Sequence, residues 1–211
     1  MDFDFRTLAP KQVYNVLVSS VMPRPIALTT TVNGAGRVNA APFSFFNVVS
    51  THPPLIALGI EVEAGKPPKD TSRNIKATGE FVVNLVDEAL VEAMNVCATD
   101  YPPDCNELNE AGLQTEPSEV VMPPRIAFSP VCFECVSYHT LDLGEGRAVQ
   151  IGRVVYVRVR DDLVLDAAKA YLDGAAMKLV GRMHGRASYV RTTDMFELKR
   201  LARPVAGIEA P

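Results

Sequence analysis

Arg24-Pro25-Ile26-Ala27-Leu28-Thr29-Thr30-Thr31 runs into Asn33-Gly34-Ala35-Gly36 and returns as Arg37-Val38-Asn39-Ala40-Ala41-Pro42-Phe43-Ser44-Phe45-Phe46-Asn47. The Asn-Gly pair between two extended runs is a hairpin signal, because both residues tolerate positive φ. The outgoing strand ends in three hydroxyl side chains. Pro42 has no N–H for a further ladder rung and is expected to stop the return strand. Beyond it, aromatic and small polar residues alternate, so ring faces and hydroxyls gather where a strand has just ended. Such a place suits a flat, partly polar aromatic ligand. The same spacing also fits core aromatics beside a solvent-facing row of threonines.

Outward from this hairpin, residues 7–10 read as a helix start with an early Pro10, and Val13, Val16 and Leu17 form a short apolar stripe ended by Ser19-Ser20. Residues 51–54 read as a turn, and 55–60 as a continuous apolar run, the mark of a strand buried on both faces. Lys69 to Lys76 reads as a helix capped by Asp70 or Thr71 and closed near Gly79. Residues 80–86 form the next strand, followed by a helix with Leu90, Met94 and Cys97 on one face and an acidic first turn.

Residues 99–124 are the longest irregular stretch, a length expected of a lid, a partner contact or an extended arm. Strands are expected over 125–138 and 149–159. The second should carry Val149, Ile151, Val155, Val157 and Val159 on one face, with Gln150, Arg158 and Arg160 on the other. A short helix over 166–173 stopped by Gly174, a basic loop over 181–189 and a last strand over 195–198 complete the chain. Many short strands with two or three short helices favour a β-barrel with helical additions over a parallel α/β sheet. At 211 residues the chain is expected to be a single domain, with a tail at about 203–211.

Hydrophobic residues at 47% and charged ones at 22% allow a full core. A net charge of -4 without a basic block argues against nucleic acid or an anionic membrane as the main partner. The first residues lack the pattern of a signal peptide, and no apolar run is long enough to span a bilayer. With four cysteines, a reducing, cytoplasmic setting is expected. Cys132 and Cys135 lie three apart on a strand and point to opposite faces, so they do not suit one metal. His52, His139 and His184 are scattered, and no metal site is expected. The glycines at 34 and 36 precede a strand, and Asn39 stands where a dinucleotide fingerprint needs its third glycine. No nucleophile elbow and no HExxH pair occur, so no catalytic side chain is assigned.

Two further stretches carry chemistry. In Lys69-Asp70-Thr71-Ser72-Arg73-Asn74 a helix N-terminus and several donors meet, a combination a phosphate needs and a well-capped surface helix also shows. Gly181-Arg182-Met183-His184-Gly185-Arg186-Ala187-Ser188-Tyr189 could close over a cofactor or form an ordinary basic turn.

In order, Arg24-Pro25-Ile26, Asn39-Ala40-Ala41-Pro42-Phe43-Ser44, Lys69 to Ile75, Arg125-Ile126 with Ser129-Pro130 and Glu134-Cys135, and Gly181-Arg182 with Gly185 and Tyr189 resemble the flavin reductase-like family of FMN-binding split-barrel proteins, which includes flavoredoxins. The resemblance runs from about residue 10 to residue 200. It implies a mainly β fold, a six-stranded antiparallel Greek-key split barrel, in a homodimer with FMN near the subunit interface. It further implies that Thr29, Thr30, Thr31, Asn39, Ala41, Pro42, Phe43 and Ser44 line the flavin. By the same resemblance Lys69, Asp70, Thr71, Arg73 and Asn74 hold its phosphate, and His184, Gly185 and Tyr189 close the site. The implied activity is hydride transfer from NAD(P)H to FMN and on to an acceptor; the alternatives are an FMN-binding electron carrier and, without a well-placed axial His, a haem-binding barrel. One departure stands out: the Gly-Asp-His turn of flavin reductases reads Gly144-Glu145-Gly146-Arg147 here, and the nearest histidine is His139.

Overall fold

The computed structural model describes residues 1–63, 65–102, 105–185 and 187–199. The chain opens with helix α1 (Pro10–Ser20), then strands β1 (Arg24–Pro25), β2 (Ala27–Val32), β3 (Val38–Phe43), β4 (Phe46–Thr51) and β5 (Pro54–Ile60). Helix α2 (Asp70–Thr78), β6 (Glu80–Leu85), α3 (Val91–Val96), α4 (Glu107–Glu110), β7 (Thr115–Glu116) and β8 (Arg125–Ile126) follow. A long pair, β9 (Val131–Gly144) and β10 (Arg147–Val159), precedes four short strands: β11 (Val164–Asp166), β12 (Tyr171–Leu172), β13 (Val180–Arg182) and β14 (Tyr189–Arg191). None of the described helices is long and apolar enough to cross a membrane.

The main sheet has the order β3-β2-β6-β9-β10-β5-β4, with every described pairing antiparallel. Its two edge strands, β3 and β4, are consecutive in the chain and joined only by Ser44 and Phe45, so the sheet has to curl until its edges meet. Gly59 N donates to Phe45 O at 2.6 Å across that seam. The result is the expected mainly β split barrel, with seven strands in the main sheet instead of six. The extra strand is β4, in a segment read from sequence as an aromatic stretch and a turn. Pro42 does not stop β3: it lies opposite Leu28 in register, tolerated because an edge strand need not donate on its outer side.

The β2–β3 connection is the expected hairpin, although its loop spans residues 33–37. Asn33 organises it, its side-chain oxygen accepting from Ala35 N and Arg37 N, while Gly36 supplies the positive φ of 78°.

Inside the barrel, Phe43, Phe46, Ile56, Leu58, Phe81 and Val83 pack together, and Ile75 of α2 closes one end. Gly152 is required here: a Cβ on it would lie 2.3 Å from Phe81 Cζ. β5 shows why the run 55–60 misled. Ile56, Leu58 and Ile60 point inward and are buried, whereas the residues between them are only half-buried. On β10 the inward set is Ala148, Gln150, Gly152 and Val154, with register shifts at 151/152 and 154/156; Val155 and Val157, expected on one face with Val149 and Ile151, are exposed.

A second core lies on the outer face of β2 and β3, where Leu28 and Ala40 meet Leu90, Met94, Cys97, Leu108 and Ile126. The segment 99–124 is therefore folded in part, containing α4 and β7 and anchored by Leu108. Glu134 on β9, fully buried, accepts from Glu119 N and Val120 N, both at 2.8 Å, and Glu80 accepts from Met122 N at 2.8 Å. Three other expectations change. Residues 166–173 are a small hairpin of β11 and β12, turned by Asp166 accepting from Lys169 N and by Ala170 at φ 53°. The stretch 181–189 is another hairpin, β13 and β14, with Arg186 outside the described residues. Residues 195–198 form no strand, and the tail at 203–211 lies outside the described residues.

Candidate functional site

The three threonines at the end of β2 meet different fates, because side chains alternate across a strand. Thr30 points to the outer core, donating to Pro124 O at 2.6 Å and facing Asn84 Nδ2 at 3.4 Å. Asn84 also donates to Leu28 O (2.9 Å) and accepts from Ile126 N (2.8 Å), which stitches the 99–126 segment to the sheet. Thr29 and Thr31 point inward. Thr31 Oγ1 accepts from Asn74 Nδ2 at 3.0 Å, and Thr29 turns to its own strand at Ala27 O. All three residues are fully buried. They fix α2 and the outer layer to β2.

Next to them, on the inward-facing side of β3, Asn39 and Ala41 reach the N-terminus of α2. In the orientation that satisfies both partners, Asn39 donates to Glu107 Oε1 at 3.2 Å and accepts from Thr71 Oγ1 at 3.2 Å. Glu107 Oε2 also accepts from Ala40 N. Three elements therefore converge on one amide: β3, α2 and α4. Lys69, the residue before α2, provides no side-chain cap, so the first turn keeps its N–H groups unmatched by a capping side chain.

A groove runs round this helix end. One part, about 150 Å³, is lined by Asn39, Ala41, Pro42, Phe43, Lys69 and Thr71 with the 97–101 segment. It continues on one side into a cavity of about 470 Å³ bordered by Arg37, Asn39, Arg73, Asn74, Cys105 and Glu107. On the other it opens into about 1040 Å³ between α1, Pro67-Pro68 and Tyr101. These volumes reach the range of small-molecule and cofactor pockets.

The groove's cations are paired with exposed carboxylates. Arg73 donates to Asp70 and to Pro68 O, and Asp100 accepts from Lys66 (2.7 Å) and Lys69 (3.2 Å). These two lysines hold the Asp100 carboxyl below the ordinary carboxylate value. Exposed pairs of this kind contribute little and exchange readily.

The structure thus brings together Asn39, Ala41, Pro42, Phe43, Lys69, Asp70, Thr71, Arg73 and Asn74. Ser44 and the turn that carries His184 and Gly185 are held instead through Arg24 and α1, and Tyr189 lies against Arg182. Arg24, buried, donates to Ser44 Oγ (3.3 Å), to Val18 O and Val21 O at the end of α1, and to Met183 O (2.7 Å). Arg24 is a cation at a helix C-terminus, stapling the 183–185 turn to α1. Gly185 packs against that helix, where a Cβ would lie 3.1 Å from Val18 Cγ2. Tyr189 lies under the Arg182 guanidinium, 4.7 Å from ring centroid to Cζ.

Glu107, Asp100 and Lys66 were missed by sequence reasoning. Glu107 meets Ala40 across 67 residues, a contact with no local signal. The β9–β10 turn, singled out in the sequence for lacking a histidine, borders the same region: Gly146 abuts Pro68, just ahead of α2, and Arg147 Nε is the one buried side-chain polar atom without a partner among the described residues. His139 is exposed on β9 opposite Ile151, away from this turn. Cys132 and Cys135 do point to opposite faces, each buried in a different cluster, and burial pushes the Cys132 thiol up to about 11.

The donor set fits a flavin mononucleotide. A phosphate needs the open helix end with its N–H groups, Lys69 and Arg73; a ring needs the apolar wall of Ala41, Pro42 and Phe43. The exposed carboxylates leave these cations exchangeable rather than locked.

Residues 18–179 match the family model described as a flavin reductase like domain. An uncharacterised protein of Deinococcus radiodurans is 41% identical over 204 residues, covering 94% of this chain and 89% of that protein. The crystal structure of Pseudomonas fluorescens 2-nitrobenzoate 2-nitroreductase NbaA superposes with a TM-score of 0.88 at 34% identity, covering 98% of this chain and 100% of the other. Nitrilotriacetate monooxygenase component B from Bacillus cereus gives 0.86 at 34% identity, covering 94% and 98%. Fold, motif order and family match agree, and the chain belongs to the flavin reductase-like family.

Proposed function

We propose that this protein is an FMN-binding oxidoreductase that takes hydride from NAD(P)H and passes electrons to an acceptor. The observation that carries this reading is the groove at the open end of α2, where Lys69, Thr71 and Arg73 face the wall of Ala41, Pro42 and Phe43. Lys69, Arg73 and the first-turn N–H groups of α2, that of Thr71 among them, would hold the phosphate. Asn39, held by Thr71 and Glu107, would present a fixed amide to the polar edge of the ligand. Thr29, Thr30, Thr31 and Asn74 would set the wall from behind. Ser44 would act through the Arg24 staple, as would His184 and Gly185 in the turn it holds, with Tyr189 closing the site beside Arg182. Bound there, the flavin supplies the exchange of a hydride with a nicotinamide and the release of electrons to an acceptor. The protein supplies position, polarity and exclusion of water. The two neighbours at 34% identity, one a nitroreductase and one a monooxygenase component, support a reductase.

A homodimer fits the same reading. Val48, Val49, Tyr138, Leu141, Val155 and Val157, on β4, β9 and β10, are large apolar side chains left exposed, as an interaction surface would leave them. A single-domain, cytoplasmic protein agrees with the free, mostly buried cysteines.

One observation favours a second reading, an electron carrier without its own nicotinamide site. The β9–β10 turn carries Gly144, Glu145 and Gly146, with no histidine beside it. The test is an absorption spectrum of the FMN-loaded protein under anaerobic NADH and then NADPH. Bleaching of the flavin band is expected. A band that stays oxidised would move the assignment to the carrier, and failure to retain FMN at all would overturn both.

A further inference from the structure

Glu107 enters the groove at the end of α2 from a distant part of the chain, and its backbone is firmly held. It opens α4, where Asn106 accepts from Leu108 N at 3.0 Å and Leu108 is buried in the outer core. Cys97 Sγ donates to Glu107 O at 3.7 Å. The carboxylate borders both the 150 Å³ and the 470 Å³ parts of the groove and forms no ion pair among the described residues. Its oxygens sit on neutral donors instead: Oε2 accepts from Ala40 N and Oε1 from Asn39 Nδ2, each at 3.2 Å. A carboxylate without a cation repels an anionic ligand, so its place in this wall calls for another role.

That role follows from hydrogen-bond polarity. A carboxylate only accepts, whereas a carboxamide has one accepting and one donating edge. Glu107 therefore leaves the Asn39 amide a single orientation, with Nδ2 toward Glu107 and Oδ1 accepting from Thr71 Oγ1 at 3.2 Å. The reverse orientation sets Asn39 Oδ1 against Glu107 Oε1, two acceptors with no hydrogen between them. One hydrogen of Asn39 Nδ2 is taken by Glu107. The other has no partner among the described residues, on a side chain that lines both parts of the groove.

We propose that Glu107 is a positioning residue of the flavin site: it fixes the Asn39 amide so that the spare N–H donates to an acceptor atom of the bound flavin. The inference rests on the FMN reading and acts wholly through Asn39. Glu107→Gln separates polarity from packing, because the side chain keeps its shape but must set its N–H₂ against Ala40 N or Asn39. The backbone N–H cannot turn, so the amide of Asn39 does, and its spare N–H moves to the Thr71 side.

The test reads the Asn39 side-chain ¹⁵N–¹H₂ signals of the full chain without flavin, in the wild type and in Glu107→Gln, followed by FMN titration and melting of both. In the wild type one Asn39 amide proton should lie downfield, as a hydrogen bond to a charged acceptor requires, and it should move upfield in the variant. FMN should bind the variant about threefold to tenfold more weakly, with the melting temperature within about 4 °C of the wild type. A wild-type spectrum without the downfield proton would overturn the proposal, as would Asn39 signals that do not move in the variant. Signals that move while FMN affinity stays the same would overturn it too, with the FMN reading intact. A wild type that shows the downfield proton and binds no FMN would overturn the FMN reading, and the proposal with it.

Discussion

Two polar clusters flank β2 and β3, and they are built on opposite plans. On the outer face, Thr30, Asn84, Pro124 and Ile126 form a closed, buried network in which each group of the Asn84 amide has a backbone partner. Round the end of α2, Lys66, Lys69, Asp70, Arg73 and Asp100 form exposed pairs between flexible side chains. A buried donor has no substitute when its acceptor is removed, so the first cluster specifies the fold. An exposed pair exchanges its partner for water or ligand at small cost, so the second remains open to an anion. Polar residues close together in sequence thus divide between structure and site according to burial.

The largest effect should come from breaking the closed cluster. Asn84→Ala leaves Ile126 N and Leu28 O without their partner, and an unfolding midpoint should report a loss of about 2–4 kcal/mol. A loss under about 0.5 kcal/mol would mean that the network is not closed. On the open side, Arg73→Ala should weaken FMN binding by about 1–3 kcal/mol while stability changes by less than about 1 kcal/mol. Fluorescence titration and thermal melting on the same sample separate the two quantities. If instead the variant melts early and binds normally, the two clusters have been assigned the wrong way round.

Smaller still is Asp100→Asn. Removing the carboxylate that occupies Lys66 and Lys69 should tighten FMN binding about twofold to fivefold. Weaker binding in this variant would show that Asp100 orders the lysines rather than competing for them. The sign in acid follows from the same pairing. The lysines depress the Asp100 pKa from 3.8, so the clip persists above that value and is lost as pH falls through the lowered one. A ¹³C carboxyl titration reads it directly, and a midpoint above 3.8 would remove the clip. Thiol chemistry draws the same contrast: Cys105 should react with an aromatic disulfide in the native protein, while Cys97 and Cys132, pushed up by burial to about 11, and Cys135, pushed up further, stay silent. Release of more than one equivalent before unfolding would contradict that burial.

Much of the barrel was legible because its signals are local. Asn33 and Gly36 mark the hairpin, Pro10 marks α1, and Gly79 closes α2 with a positive φ of 75°. β4 was not legible: its exposed Val48 and Val49 and its neighbour Pro53-Pro54 resemble a loop until β5 pairs with it. The hairpin at 164–172 was hidden by residues that favour helices, Ala167, Ala168 and Lys169, in a turn fixed by Asp166. On β10, residues 148–154 keep strict alternation but their inward members are small or polar, and the register shift at 154/156 then puts Val157 opposite Phe133, a bulge that alternation cannot register.

The site was legible in part. The α2 terminus and the residues 39–43 were identifiable because a helix start and a strand end are sequence features. Glu107, Asp100 and the Arg24 staple depend on contacts that only the curled sheet creates; Arg24 to Met183 spans 159 residues. The threonine row was identified as a row. Its division between two faces follows from the strand period, but what waits on each face does not.

The measurement that tests the central claim most directly is the FMN affinity of three proteins side by side: the wild-type chain, Arg73→Ala and Thr30→Val. The wild type should bind FMN stoichiometrically. Arg73→Ala should lose about fivefold to a hundredfold with its melting temperature nearly unchanged, while Thr30→Val should melt earlier and, while folded, bind as the wild type does. Equal affinity for the wild type and Arg73→Ala, or a folded wild type that binds no flavin, would contradict the placement of the cofactor at the end of α2.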